Sequence, residues 1–425
     1  MFPDFFAVPV REAVLVEELR GFGFQSPELA CSSLQRILGW WKAAEGAEPA
    51  AEAPLWFLIL QRVLREAPLK DTVLSVVERF VQNTRDDLDP FLLFEQSPRS
   101  LDILARLACG SPFLTQTLLS DPSCLTSLTL HGRAADTKDR EQFIEEATNV
   151  TLTRRTRREK LAELRRYQRR QLLRIGMCDA FGLMDLKFIT LQLSLLADSM
   201  VQCCLNIAAD DCGVPANRLT VLALGKLGGE ELNYSSDIDL ALIAAEDSAD
   251  VQRLARLTID GLTDNIAPGF LYRVDLRLRP WGEAGPLVST VKSYASYIIQ
   301  DAALWEKQAL LKARVIAGAP SPGQQFLTEV RPLLFTGTAA QVRASINDMK
   351  ARIEQRLRQR GKLYSEVKLG AGSIRDVEFL VQSLQLIHGE AEPRILCANT
   401  LDSLVRLAEF GLINASWYRQ LRAGY

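Results

Sequence analysis

Two aspartates one residue apart, Asp237 and Asp239, open the apolar run "DIDLALIAA". Side chains at i and i+2 of a strand share a face, so the two carboxylates project together while Ile238 and Leu240 pack behind them. Like charges at that distance repel. A hard divalent cation relieves the repulsion, and Mg²⁺ typically takes one or two carboxylates together with phosphate oxygens. A bare Asp-x-Asp is more often just the solvated end of a strand. The stretch "RVDLRLR" shifts the balance, because Arg273, Asp275, Arg277 and Arg279 alternate with Val274, Leu276 and Leu278. That alternation predicts a strand with a third carboxylate and three cations on one face. Such a face suits a metal and a phosphate together; the alternative is an exposed face with cross-strand ion pairs.

Between the apolar runs "NRLTVLALG" and "DIDLALIAA" lies "GKLGGEEL". The main-chain N–H groups of Gly228 and Gly229 can approach a phosphate there, and Lys226 can add a point charge. Leu227 follows the lysine where a P-loop needs Ser or Thr, so this is no Walker A motif. The same glycines also read as nothing more than a tight turn. Lys312 and Arg314 read either as substrate contacts or as solvated helix positions. "SIRDVEF" reads as a capping box, with Ser373 at the N-cap and Asp376 three residues later, which leaves Arg375 and Glu378 between structural and catalytic roles. His131 and His388 fall outside every motif and read as structural or surface residues.

Periodicity supplies the elements that must position these groups. Residues 1 to 150 read as helices with short breaks: Ser26 before Pro27 is an expected N-cap, and "SPFLTQTLLSDPSCLTSL" reads as two helices joined at Asp121 and Pro122. From Arg154 to Arg174 ten residues are Lys or Arg, while Leu161, Leu164, Gln168, Leu172 and Ile175 trace one side of a long basic amphipathic helix. Short β-prone runs begin near residue 216, "SADVQRLARLTIDGLTD" returns to helical period, and helices resume near residue 320. The expectation is an α+β fold, predominantly helical, with a small sheet embedded between helical regions. Its domains would be a helical region over 1–150, the sheet-bearing catalytic domain over 151–320 and a second helical region over 321–425.

Composition narrows the function classes. The chain has 425 residues, 48% hydrophobic and 24% charged, with a formal net charge of −2, which suits a globular protein of roughly three units and gives no global drive toward nucleic acid or an anionic membrane. The eight cysteines are scattered without a CxxC pair, an argument against zinc and against a disulfide framework. A reducing cytoplasm is expected. Asp4, Arg11 and Glu12 interrupt the opening segment, and no run is expected to reach the roughly 18 apolar residues of a membrane span.

The glycine pair, the Asp-x-Asp and the later aspartate together resemble the nucleotidyltransferase fold of the DNA polymerase beta superfamily. The longer stretch "LGKLGGEELNYSSDIDLALI" resembles the glutamine synthetase adenylyltransferase/adenylyl-removing enzyme family, as do "LRRYQRRQLLRIGMCDAFGLMDL", "YRVDLRLRPWGEAGPL", "WEKQALLKARVIAG" and "VKLGAGSIRDVEFLVQ". That resemblance runs from about residue 95 to the end; the first ninety residues match only in helical character. The family carries two nucleotidyltransferase copies where this chain has one, so a fragment is expected. Met1 and the long helical lead suggest the N-terminal, deadenylylating half.

By resemblance, the reaction is phosphorolysis of an adenylylated tyrosine of glutamine synthetase, with phosphate as co-substrate and ADP as product. The resemblance implies Asp237, Asp239 and Asp275 as catalytic ligands of Mg²⁺ or Mn²⁺. It also implies Gly228, Gly229, Lys226 and Ser236 on the AMP phosphate, with Arg277 and Arg279 toward the incoming phosphate. The implied partners are adenylylated glutamine synthetase, a PII signalling protein and the C-terminal adenylylating half of the same polypeptide, with neither membrane nor nucleic acid. Two rivals remain: ATP-dependent adenylylation by the same fold, and a noncatalytic adaptor that binds a partner through the basic helix.

Overall fold

The computed structural model describes residues 12–45, 53–84, 86, 88–130, 135–265 and 269–425. The fold is α+β and predominantly helical, with one small mixed sheet of five strands. Two compact units divide it. One comprises Met1–Thr137 with Arg169–Ile189, the other Lys138–Gln168 with Thr190–Tyr425. His131 and the opening residues 1–11 lie outside the described residues.

The first unit is a set of short helices around an apolar core that includes Trp56, Phe57, Phe80, Phe94 and Leu104. Local chemistry starts them. Asp89 accepts hydrogen bonds from the Phe91 and Leu92 amides ahead of Pro90, and Ser111 accepts from Leu114 ahead of Pro112, so a capping oxygen and a proline with fixed φ act at successive positions. Helices Pro112–Ser120 and Ser123–Leu130 meet at Asp121 and Pro122. Ser26 precedes helix Pro27–Glu45, and its amide and that of Gln25 donate to the Asp71 carboxylate.

The second unit carries the sheet. Strand β1 (Thr220–Leu224) pairs antiparallel with β2 (Ile238–Ala244) and with β5 (Arg314–Gly318). Along its other edge β2 pairs in parallel with β3 (Val274–Asp275) and then with β4 (Val288–Thr290). Leu222, Leu224, Ala241 and Ile243 pack with Val291, Tyr294, Ile298, Phe326 and Val330 of the helices Val291–Gln300 and Pro320–Val330. Strand parity puts Asp239 on the same side as Ala241 and Ile243, at the start of β2. Helices Ile374–His388 and Thr400–Glu409 form a further core from Val377, Val381, Leu404 and Leu407.

The basic helix, Arg157–Ala180, buries the side the sequence traces: Leu161, Leu164, Gln168, Leu172 and Ile175 are all buried. Two of its cations serve the fold, since Arg165 is 1% exposed and Arg157 and Arg165 donate to the carbonyls of Leu257 and Asp264. Arg158, Arg166 and Arg170 stay exposed. One expectation needs correction, the lack of any membrane-length apolar run. Leu186–Cys212 is long and apolar enough to cross a membrane, yet 78% of its apolar window is buried. Its Asp198 pairs with Arg314, and Ser194 Oγ accepts the Leu232 amide, so its polar groups are satisfied by protein.

Candidate active site

The parallel pairing of β2 with β3 sets Asp239 directly opposite Asp275. Ile238 N–H donates to the Arg273 carbonyl at 2.9 Å and fixes that register. Each carboxylate has a different environment. Asp237, exposed and one residue before β2, receives Arg273 Nε at 2.5 Å, and Arg273 also donates to the Ser235 carbonyl at 2.7 Å. Asp275 accepts the Arg277 amide at 2.9 Å and its Nε at 3.0 Å. Hydrogen bonds from Arg277, outweighing burial, hold the Asp275 carboxyl below its ordinary range. Among the described residues Asp239 has no hydrogen-bond or ion-pair partner. Burial, then the charges of Asp275 and Asp237, push its pKa up to about 6 against the pull of Lys368 and Arg277. Three negative charges thus meet two committed arginines, and the unbalanced charge falls on Asp239.

The expected long strand over "RVDLRLR" is two residues long. Asp275 captures the amide two residues ahead, and the Arg279 amide bonds the Leu276 carbonyl at 3.2 Å, so local turn bonds replace the ladder. Arg277 and Arg279 therefore leave the sheet. Arg277 folds back on Asp275, while Arg279 donates through Nη2 to the Glu283 carbonyl at 3.2 Å. Arg279 Nε is buried without a hydrogen-bond partner among the described residues.

The turn after β1 also differs from expectation. Gly228 and Gly229 are buried, the Gly229 amide bonds the Gly225 carbonyl, and a β-carbon at Gly228 would overlap the Lys312 carbonyl. These two glycines permit close packing and do not line an open phosphate cradle. Gly225 is the glycine that meets the carboxylates: its φ is +54°, and a β-carbon there would overlap Asp239 Oδ2. Lys226 is not a free point charge either. It pairs with Glu378 at 2.7 Å, donates to the Tyr425 hydroxyl at 2.9 Å and stands over that ring. Ser236 is half-buried, its amide bonded to the Asn233 carbonyl.

Residues whose roles the sequence leaves open have definite contacts in the structure. Arg314 opens β5 and Lys312 lies in the turn just before it, neither on a solvated helix; Lys312 pairs with buried Glu231, and Arg314 with Asp198 and the carbonyls of Leu227 and Gly228. Ser373 does not cap helix Ile374–His388 with its side chain; its Oγ donates to the Lys368 carbonyl, and Asp376 accepts from Gly372 N and Lys350. Arg375 stands over Phe379. His388 ends that helix. Sequence reasoning missed Gly225, Glu231, Asp198 and Lys368. A glycine just before the lysine was the one available signal, since a strand end with a positive φ requires it.

Among the described residues no three His, Cys, Asp or Glu side chains form a ready metal-ligand group. The expected triplet resolves instead into a register pair, Asp239 and Asp275, with Asp237 given to Arg273. That pair, with one carboxylate unpartnered and raised, fits a hard cation that completes its shell with phosphate oxygens and water. A family model described as glutamate-ammonia ligase adenylyltransferase matches residues 101–329, and one described as GlnD PII-uridylyltransferase matches residues 341–425.

Proposed function

We infer the reaction from one premise: the chain belongs to the glutamate-ammonia ligase adenylyltransferase family, whose model covers more than half of it, and is a nucleotidyltransferase acting on glutamine synthetase. The direction we propose is removal of AMP. A phosphate oxygen attacks the α-phosphorus of the adenylylated tyrosine, the bond from that phosphorus to the phenolic oxygen breaks, and ADP leaves while the phenolate takes a proton. Phosphate is an anion at neutral pH and needs no base, and a phenol of pKa about 10 is a tolerable leaving group. The site must then hold anions in line and balance their charge.

Asp239 and Asp275, with Asp237 beside them, would hold Mg²⁺ or Mn²⁺, which when bound supplies charge neutralisation at the phosphoryl oxygens. Arg279, with its buried unpartnered Nε, and exposed Arg277 are the candidates for the incoming phosphate. Ser236 and the Gly225 backbone are the candidates for the AMP phosphate; Lys226, committed to Glu378, is a weaker one. The match of residues 341–425 to a PII-uridylyltransferase model supports a PII protein as a further partner. The observation that carries the reading is the opposed Asp239–Asp275 pair with its one unbalanced carboxylate.

ATP-dependent adenylylation is the second reading, favoured by that same Asp239–Asp275 pair, which would hold the cation equally well for transfer in either direction. One experiment separates them. The protein is incubated with adenylylated glutamine synthetase, Mg²⁺ and phosphate while ADP is followed, and in parallel with radiolabelled ATP and the unmodified enzyme. Phosphate-dependent ADP release without labelling supports removal; label on tyrosine reverses the assignment.

A further inference from the structure

Outside the carboxylates, buried charge gathers around the turn from Gly225 to Glu231. Lys312 and Glu231 form an ion pair with side chains 6% and 5% exposed, and both bond Thr400: Lys312 Nζ to its Oγ1 at 3.0 Å, and the Glu231 carboxylate from its amide at 2.9 Å. Asn399 Nδ2 donates to the Gly229 carbonyl at 3.1 Å. At the other end of the turn, Lys226 is held by Glu378 at 2.7 Å. Burial acts to raise the Glu378 carboxyl, and Lys312, Lys226 and Arg375 outweigh it, keeping it below its ordinary value. Glu378, Asn399 and Thr400 all belong to the region beyond residue 341, outside the adenylyltransferase match and inside the second one.

Burying ions costs several kcal/mol each, and well-packed apolar side chains hold an ordinary turn as well. The two largely buried ion pairs that hold these seven residues, Lys226–Glu378 and Glu231–Lys312, therefore need a geometric reason, and Gly225 supplies it. Its left-handed backbone lies against the Asp239 carboxylate, and Lys226, the next residue, is the one Glu378 holds. A shift of the turn moves the wall against which Asp239 rests.

We propose that Glu378 and the Asn399–Thr400 pair are positioning residues for adenylyl transfer: through Lys226, Gly229 and Glu231 they lock the turn whose Gly225 seats Asp239. The helices after residue 373 are then part of the transfer site. This rests on the nucleotidyltransferase reading above.

The test uses the full chain with Glu378→Gln, which keeps shape and removes charge, Glu378→Asp, which keeps charge, and Thr400→Val, which removes a hydroxyl without stranding an ion. Turnover and KM for the small substrate, phosphate for removal or ATP for addition, are measured in the direction the wild type catalyses, and amide hydrogen exchange is followed over residues 225–231. Glu378→Gln should lower kcat about tenfold or more with KM changed by less than about threefold, as for a misplaced catalytic group. Glu378→Asp should recover part of the loss, and exchange in the turn should quicken in Glu378→Gln and Thr400→Val. Unchanged kcat together with unchanged exchange overturns the proposal. So does a uniform loss that Glu378→Asp does not relieve. If Glu378→Gln fails to fold, Thr400→Val decides by the same readouts. A wild type inactive in both directions sinks the reaction assigned above, while exchange in the turn still shows whether the lock exists.

Discussion

The two compact units bury different things. The first, built on Trp56, Phe57, Phe80 and Phe94, buries side chains that are almost all apolar or hydroxyl-bearing; among its described residues the buried charged one is Arg174, whose guanidinium is spent on the Gln171 side chain and the Asp136 carbonyl. The second buries Asp198, Glu231, Lys312, Lys307 and Arg165. Charge is expensive to desolvate and apolar surface is not. The contrast teaches that the first unit is organised for cohesion, and that the second accepts cost where a turn and a strand end must be held in one geometry.

The largest expected effect tests the chemistry of the second unit. Asp239→Asn should reduce adenylyl transfer, in whichever direction the wild type catalyses it, on the order of 10³-fold, the scale of losing a charge-stabilising group at a transferring phosphoryl. The fold should not suffer, since the amide removes a carboxylate that burial, Asp275 and Asp237 all oppose. Turnover within about tenfold of wild type would break the comparison at its centre. Next is Lys312→Met, which strands Glu231 in a site where it is 5% exposed. Breaking a buried pair costs about 3–5 kcal/mol, read as a lower urea midpoint. Adding Glu231→Leu should recover much of that stability without recovering turnover.

In the first unit Leu104→Ala should cost about 2–5 kcal/mol by leaving a cavity in the core. At temperatures below its melting transition, turnover per folded molecule should stay unchanged. A specific fall in kcat there would show that the division between cohesion and chemistry is drawn in the wrong place.

The sequence was readable wherever one local signal dominated. The apolar runs that became β1 and β2 and the break at Asp121–Pro122 are of that kind. It was unreadable where a side chain's partner is remote. β5 begins with Arg314, and the sequence leaves that arginine open between a substrate contact and a solvated helix position, because Asp198, which supplies its counter-charge, is 116 residues away. β3 carried a perfect alternation, and the Asp275–Arg277 turn overrode it. Gly228 and Gly229 read as the phosphate glycines, whereas Gly225 holds the left-handed φ beside Asp239; composition does not tell a close approach from a turn. Glu231 and Glu378 resemble any surface acids until burial is known.

The smallest expected effect is a pH dependence that separates the acids of the second unit by sign. The Asp239 pKa of about 6 lies above the ordinary value near 3.9, so between about pH 4 and about pH 6 the folded protein keeps a proton that the unfolded chain has released. Stability contributed by Asp239 therefore falls as pH rises through that window and stays low above it. Glu378 and Asp275 act oppositely: their carboxyls are held below ordinary values, so their stabilisation is present above the unfolded pKa and is lost as pH falls through the folded one. Asp198 is also pushed up to about 6, by burial against the pull of Arg314 and Arg140, so the wild-type curve alone does not isolate Asp239. The difference between Asp239→Asn and wild type does, because groups that do not interact with Asp239, Asp198 among them, cancel, leaving Asp239 and the carboxyls coupled to it, Asp275 and Asp237. That difference should grow in favour of the mutant from about pH 4 to about pH 6, reach about 1–2 kcal/mol after solvent screening, and then level off. A flat difference across the window would mean that Asp239 ionises as an ordinary exposed carboxylate, and the buried imbalance that sets the second unit apart from the first would not be located at the strand end.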